Sequence, residues 1–310
     1  MGEIMDITFD PAYSDDERRQ KVFGGEVVIL PRSSETLSLV MHARKLIEEA
    51  FPTGDPRSAH KMFSVEESVA KLVKLKPYFI HHPDTRDFLR NLLLSYGCDG
   101  EKTYQDVPRI RSAFPANYLT TGIAYAHHPH RDTWYSAPMC QLNWWMPLYD
   151  FSSEQGMAFH PRYWSSEIEN GSENFNYYRW NADGRKNAAQ HVKTDTRVQP
   201  HAEEPIELEP AVCCVVPAGS VILFSAAHLH STIVNTTDVT RWSIDFRTVH
   251  IDDVEQRRGA ANHDSNSSGT SLRDFKRMRD FTPMSEAIVG LYDKNPIEGV
   301  AVYTPDEMVR

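Results

Sequence analysis

The chain has 310 residues, of which 40% are hydrophobic and 11% aromatic, and a formal net charge of -10. That apolar content is enough to build a large core against chain entropy. The acidic balance, with no Lys/Arg run, excludes the broad basic field that attracts a phosphate backbone, so nucleic acid is not an expected partner.

No stretch approaches the length of a membrane span, and the opening Met1-Gly2-Glu3-Ile4-Met5-Asp6 has no apolar secretory region. Cys98, Cys140, Cys213 and Cys214 form no paired CxxC motif, so free thiols are predicted. The expectation is a cytoplasmic enzyme acting on a small molecule, built as one domain over 1–310. Within it, 1–117 reads as a helix-rich N-terminal support, 118–250 as a β core with a lid-like insertion at 165–205, and 251–310 as a flexible segment and a C-terminal helix.

In chain order, Glu26-Val27-Val28-Ile29-Leu30 reads as a strand closed by Pro31. A helix is predicted over about 35–51, where Val40, Ala43, Ile47 and Ala50 recur at helical spacing. A second helix begins near Val65. A third follows Pro83, and its stripe of Phe88, Leu89, Leu92, Leu93 and Tyr96 ends at Gly97, a residue suited to the left-handed C′ position.

From about Tyr118 the pattern changes to short β-rich runs at 121–126, 140–146, 157–160, 212–216, 221–224 and 242–249. Pro, Gly and Asn turns separate them, which predicts a sandwich or jelly roll flanked by helices. The 165–205 stretch is polar but carries Phe175, Tyr177, Tyr178 and Trp180, and reads either as a lid over a pocket or as a packed surface insertion. Gly259 to Thr270 is rich in Asn, Asp and Ser and reads as flexible, ahead of a helix starting near Leu272.

The chemistry is carried by His130-Arg131-Asp132 and the later His230. Two imidazoles and one carboxylate occupy one face of an octahedral ion and leave positions open for a co-substrate and dioxygen, the ligand set of mononuclear non-haem iron(II). On extended backbone His130 and Asp132 point to the same side, and closure of a barrel would bring His230 to them. Zinc, manganese and cobalt accept the same ligands. His127 and His128 compete with His130 for its role, and His228 competes with His230.

Beyond His230 the spacing His230-x10-Arg241-x-Ser243 places an arginine at the start of the next strand, where it can pair bidentately with a carboxylate near the metal. Ser243 shares its face and can add a hydroxyl hydrogen bond. A dicarboxylate could then chelate the metal at one end and dock on Arg241 at the other.

With Gly156-Met157-Ala158-Phe159-His160-Pro161 and the Pro217-Ala218-Gly219-Ser220 turn, these motifs make 118–249 resemble the iron(II)/2-oxoglutarate-dependent oxygenases, within them the phytanoyl-CoA dioxygenase-like branch. The resemblance implies a double-stranded β-helix of jelly-roll or cupin-like form. It implies iron(II) on His130, Asp132 and His230, 2-oxoglutarate on Arg241 and Ser243, and dioxygen as oxidant. His160-Pro161-Arg162-Tyr163 departs from the family's small-residue turn, so substrate contacts do not carry over from that region. Related halogenases leave the carboxylate position to Gly or Ala, so Asp132 argues for hydroxylation, with release of succinate and carbon dioxide.

Gln141 and Asn143 share one face of their strand and are candidates to hydrogen-bond the metal ligands or 2-oxoglutarate. Ser243, Asp245 and Arg247 alternate on another strand, so Arg247 is a candidate for substrate or a partner of Asp245. Trp134 and Arg162 complete the substrate candidates. The expected substrate is a small polar secondary metabolite or an amino-acid-like compound. The competing readings are a cupin-type metalloenzyme that does not use 2-oxoglutarate and a non-catalytic small-molecule-binding jelly roll, since fold alone permits either.

Overall fold

A computed structural model of the chain describes residues 5–52, 54–115, 118–124, 128–185, 187–191 and 194–293. Strand β1 (Ile7–Phe9) precedes helix α1 (Asp15–Phe23), then β2 (Val27–Leu30), α2 (Ser34–Ala50), α3 (Val65–His81) and α4 (Pro83–Ser95). The three helices expected from periodicity are α2, α3 and α4, and α1 is an addition. It starts at a capping box in which Ser14 and Glu17 satisfy each other's backbone N–H groups. Gly97 adopts φ +78°, the left-handed conformation expected at the end of α4.

The remaining strands are β3 (Thr103–Gln105), β4 (Arg109–Ala113), β5 (Leu142–Pro147), β6 (Met157–Phe159), β7 (Val212–Cys213), β8 (Val221–Ser225), β9 (His230–Thr232), β10 (Arg241–His250) and β11 (Lys276–Arg277). They form an eight-stranded sheet in the order β1-β2-β8-β5-β10-β3-β11, with β4 also pairing β10, and a three-stranded sheet β7-β6-β9. These are the two layers of a jelly roll. Among the described residues they are not joined by strand pairing into the closed barrel expected above.

Alternation along the strands separates two cores. Val28 and Leu30 of β2, Leu142, Trp144 and Met146 of β5, and Trp242, Ile244 and Phe246 of β10 pack against the helices. Val27, Ile29, Trp145, Ile222 and Phe224 face the other way and meet Met157 and Phe159 of the small sheet. Each fully buried large side chain contributes about 1.5–3 kcal/mol, so the helix-side cluster carries most of the stabilisation. The inner face is thereby free to hold polar groups on β5 and β10.

Several expectations are corrected. Gly122–Ala124 is a tight 3₁₀ turn rather than part of a strand, because Gly122 has φ +57° and lies so close to the Ala188 and His191 carbonyls that a Cβ there would clash. The remainder of that expected strand, 125–126, lies outside the described residues. No long helix starts near Leu272: Ser271–Asp274 is a 3₁₀ turn followed by β11, and Glu286–Val289 is one short turn of helix. Among the described residues no helix is long and apolar enough to cross a membrane.

The segment expected to be flexible, 259–270, is a strap tied into the core by Asp264. Its carboxylate accepts from Arg131 Nε at 3.0 Å, Trp134 Nε1 at 2.8 Å and the Ile168 amide at 3.2 Å. Arg131 also donates to the carbonyls of Ala227, Tyr163 and Ser166. Removing one member of a buried ion pair strands the other charge. Asp264→Ala is therefore expected to lower stability by about 3 kcal/mol or more, read from urea unfolding, and a loss under about 1 kcal/mol would contradict this role.

Candidate active site

His130 lies on extended backbone and pairs with His230 at the edge of the small sheet. Each backbone N–H donates to the other's carbonyl at 3.0 Å. This reciprocal pair, rather than barrel closure, brings the two histidines together, with ring centroids 4.4 Å apart. Arg131 between His130 and Asp132 is extended (φ -106°, ψ 141°), so Asp132 returns to the same side as His130.

Both imidazoles are oriented alike. His130 Nδ1 lies 2.8 Å from the His128 carbonyl and His230 Nδ1 lies 3.0 Å from the His228 carbonyl. A carbonyl can only accept, so each Nδ1 carries the proton and each Nε2 presents its lone pair. The Nε2 atoms lie 3.3 Å (His130) and 4.0 Å (His230) from Asp132 Oδ1. The ligand atoms of the three buried residues all fall within 4.8 Å of one another.

The second oxygen of Asp132 is held from behind. Asn143 Nδ2 donates to Oδ2 at 2.9 Å and Gln141 Nε2 at 3.3 Å, while Arg247 Nε lies 3.7 Å away. Gln141 and Asn143 thus reach the Asp132 carboxylate from the inner face of β5. Burial pushes the Asp132 carboxyl up, but the charge of Arg247 outweighs it, with Asn143 and Gln141 donating to Oδ2, and the carboxyl lies well below the usual carboxylate range. Burial, reinforced by His130, pushes His230 down to about 3. Two neutral imidazoles and one ionised carboxylate are the donor set that iron(II) takes.

The competing histidines are used elsewhere. His128 Nε2 lies 2.7 Å from the Pro200 carbonyl, and both ring nitrogens of His228 face backbone carbonyls, of Ser225 and Gly25. His127 lies outside the described residues.

The triad opens onto a cavity of about 710 Å³ between the sheets, and Arg241 also lines it. Arg241 is buried: Nε donates to the Gln155 carbonyl at 3.0 Å, Nη1 to Ser243 Oγ at 2.6 Å, and the guanidinium lies over the Trp145 ring. Among the described residues no carboxylate lies within ion-pair distance of it. Burial pushes it down to about 10, against the opposing charge of Asp245. A buried cation without an anion is costly, and a carboxylate-bearing ligand relieves that cost. Ser243 holds the guanidinium in place.

The substrate candidates sort differently. Arg247 lines the cavity, but its guanidinium is engaged by Asp106 at 3.3 Å and Asp245 at 3.4 Å in addition to Asp132. Arg162 is on the surface, paired with Glu207, and is not at the cavity. Trp134 is fully buried against Ile168 and Leu229, away from the triad. The residue at the site is Tyr135, whose ring meets His130 edge-on at 5.5 Å. Asp132–Tyr135 is a 3₁₀ turn, in which positions three apart share an edge, so Tyr135 and not Trp134 follows Asp132 into the cavity.

A jelly roll with a buried two-histidine, one-carboxylate group and, across the cavity, a buried arginine with no carboxylate beside it among the described residues fits a non-haem iron oxygenase that uses an oxo-acid co-substrate. The chain belongs to the phytanoyl-CoA dioxygenase (PhyH) family, which it matches over residues 38–243. It is accordingly an iron(II)- and 2-oxoglutarate-dependent oxygenase.

Among solved structures it is similar to EvdO2 from Micromonospora carbonacea var. aurantiaca complexed with 2-oxoglutarate, at 15% identity and TM-score 0.44 over 78% of this chain and 93% of that one. It is also similar to the non-haem alpha ketoglutarate dependent carbocyclase SnoK from nogalamycin biosynthesis, at 17% and 0.39 over 78% and 86%. The epimerase SnoN in complex with Fe3+, alpha ketoglutarate and nogalamycin RO aligns at 16% and 0.38 over 76% and 85%. No curated protein matches the chain. Family membership rests on the sequence match and not on these structural likenesses.

Two predictions follow from the geometry. Asn143→Ala removes the shorter support of Asp132 and is expected to weaken metal binding by about 10- to 100-fold in a manganese(II) titration, whereas unchanged affinity would remove Asn143 from this role. With burial pushing it down to about 3, His230 stays neutral in the metal-free fold where an unfolded histidine, near 6.5, takes up a proton. Its contribution to stability is then fully present above about pH 6.5 and lost as pH falls toward 3. The urea midpoint of metal-free protein should drop from pH 7 to pH 5; an equal or higher midpoint at pH 5 would contradict the burial of His230 as a neutral ring.

Proposed function

We propose that His130, Asp132 and His230 hold iron(II), that Arg241, positioned by Ser243, binds the distal carboxylate of 2-oxoglutarate, and that the enzyme hydroxylates a small polar metabolite. Bound iron(II) supplies the redox chemistry by which 2-oxoglutarate, dioxygen and a substrate C–H bond give succinate, carbon dioxide and a C–OH group. Gln141 and Asn143 fix the Asp132 carboxylate so that Oδ1 faces the imidazoles, and the carbonyls of His128 and His228 fix both rings. The chain's own contribution is orientation and the exclusion of water from a cavity walled by the two sheets.

The observation that carries this reading is the pairing of the triad with Arg241, buried with no carboxylate beside it. A metalloenzyme that did not use 2-oxoglutarate would have no need of that guanidinium. Asp132 itself supports hydroxylation over halogenation, because a carboxylate fills the position that a halide would need.

Arg241→Ala is expected to raise the apparent Kd for 2-oxoglutarate by about 100-fold, in line with loss of a buried charged pair, with manganese(II) affinity retained. Succinate formation at low 2-oxoglutarate should fall in parallel. Unaltered 2-oxoglutarate binding in the variant would dislodge Arg241 from its assigned role.

A further inference from the structure

Asn181, on the insertion, lines the cavity beside the triad. It is buried, yet neither its Nδ2 nor its Oδ1 has a hydrogen-bond partner among the described residues. Other polar side chains of the wall are engaged: Gln141 and Asn143 reach Asp132, Arg111 pairs with Asp245, and Arg197 pairs with Asp195. The Ser112 and Ser271 hydroxyls on the same lining also lack a partner. A hydroxyl is a single rotating group, however, whereas the Asn181 carboxamide leaves a donor and an acceptor unmet together.

Folded proteins pair their buried polar groups, and an unpaired carboxamide is costly to keep unless a ligand completes it. The backbone around Asn181 is shaped by its neighbours. Asn176 caps the short turn Tyr177–Arg179 by accepting from the Tyr178 and Arg179 amides, and the chain continues as a π-helical turn, Trp180–Arg185. Gly184 lets that turn close on Trp180, because a Cβ there would lie 2.4 Å from the indole. The Asn181 side chain contributes no hydrogen bond to this arrangement. Its χ2 is a soft sp³–sp² torsion, so the amide can turn to meet a ligand at small cost.

The adjoining wall is aromatic. Tyr135 meets His130 edge-on at 5.5 Å and lies 6.5 Å from Trp180, and Phe175 packs against both rings. A row of rings thus leads from a metal ligand to the residue before Asn181, which suits a flat ligand. The complement of a carboxamide is the same pair reversed, an N–H and a C=O on adjacent atoms. A ligand offering only one of the two would leave half of the Asn181 amide unpaired, and a polar site discriminates strongly against that loss.

We propose that Asn181 is a specificity-determining residue of the chamber and that it selects a substrate carrying a lactam or primary amide edge. This deepens the proposed function, on whose assignment of the cavity it rests.

The test uses the full chain loaded with manganese(II) and 2-oxoglutarate. Quinolin-2(1H)-one is the lactam probe, and 1-methylquinolin-2(1H)-one, which keeps the carbonyl but not the N–H, is its control. Paramagnetic broadening of probe resonances by the manganese reports binding in the cavity and needs no turnover. The lactam is expected to bind at least about tenfold more tightly than the control, a difference of about 1.4 kcal/mol, and Asn181→Leu and Asn181→Ala should both abolish that preference. Urea unfolding of the ligand-free variants separates this role from a structural one, since neither variant loses a hydrogen bond and the wild-type midpoint should be kept. Absence of lactam broadening, equal binding of the two probes, a preference that survives in the variants, or a midpoint that falls in both overturns the inference. Manganese and 2-oxoglutarate titrations without probe are read separately: if they fail in the wild type, the oxygenase assignment fails, whereas lack of a lactam preference in loaded protein overturns this inference alone.

Discussion

Everything at the site depends on one pair of backbone hydrogen bonds, those exchanged by His130 and His230. The segment carrying His130 and Asp132 is a loop leading into a 3₁₀ turn, and the strand carrying His230 is three residues long. Neither is rigid by itself. The reciprocal 3.0 Å bonds fix their register, and a register slip of one residue would turn either imidazole to the opposite face. Arg131, pointing away from the site, anchors the turn to Asp264 and to three carbonyls, so the residue between the two ligands holds the geometry that they need.

Behind that pair lies a polar layer on β5 and β10 that would be costly in a core of any other purpose. Asn143 and Gln141 from one strand and Arg247 from its neighbour converge on Asp132, and Arg247 ties it to Asp106 and Asp245. A buried carboxylate alone would become protonated; within this network it stays ionised, which is the form a metal ligand must have. The same network accounts for the many arginines near the cavity, since each is tied to a carboxylate. Arg241 is the exception, and its isolation from carboxylates is what marks the far end of the cavity as a place for an anion.

Much of this was legible in the residues. The period-two alternation of 242–249 and 140–146 already separates the apolar face from the row Arg241, Ser243, Asp245, Arg247 and from Gln141 and Asn143, because a strand in a two-layer fold has no other way to bury its hydrophobes. The helices α2 to α4 are written in their apolar spacing and in stop signals such as Gly97. The losses have equally local causes. Trp134 stands next to the motif in sequence, but the 3₁₀ turn gives the place at the cavity to Tyr135.

Residues 121–124 carry strand-like composition but also Gly122, whose positive φ bends the chain against the carbonyls of a segment distant in sequence. Arg162 and Arg247 illustrate a second limit: an arginine's role is set by which carboxylate the fold brings to it, and Glu207 and Asp106 come from elements whose placement one sequence does not reveal, whereas Asp245 lies two residues from Arg247 on the same strand. Asp264, in a stretch of flexible composition, became a core anchor for the same reason.

The most direct test of the account is an anaerobic iron(II) titration of the metal-free chain, compared with its His230→Ala and His228→Ala variants. The account predicts one tightly bound iron per chain, lost in His230→Ala and kept in His228→Ala. Tight binding that survives loss of His230, or that disappears with His228 while the fold is intact, would contradict it.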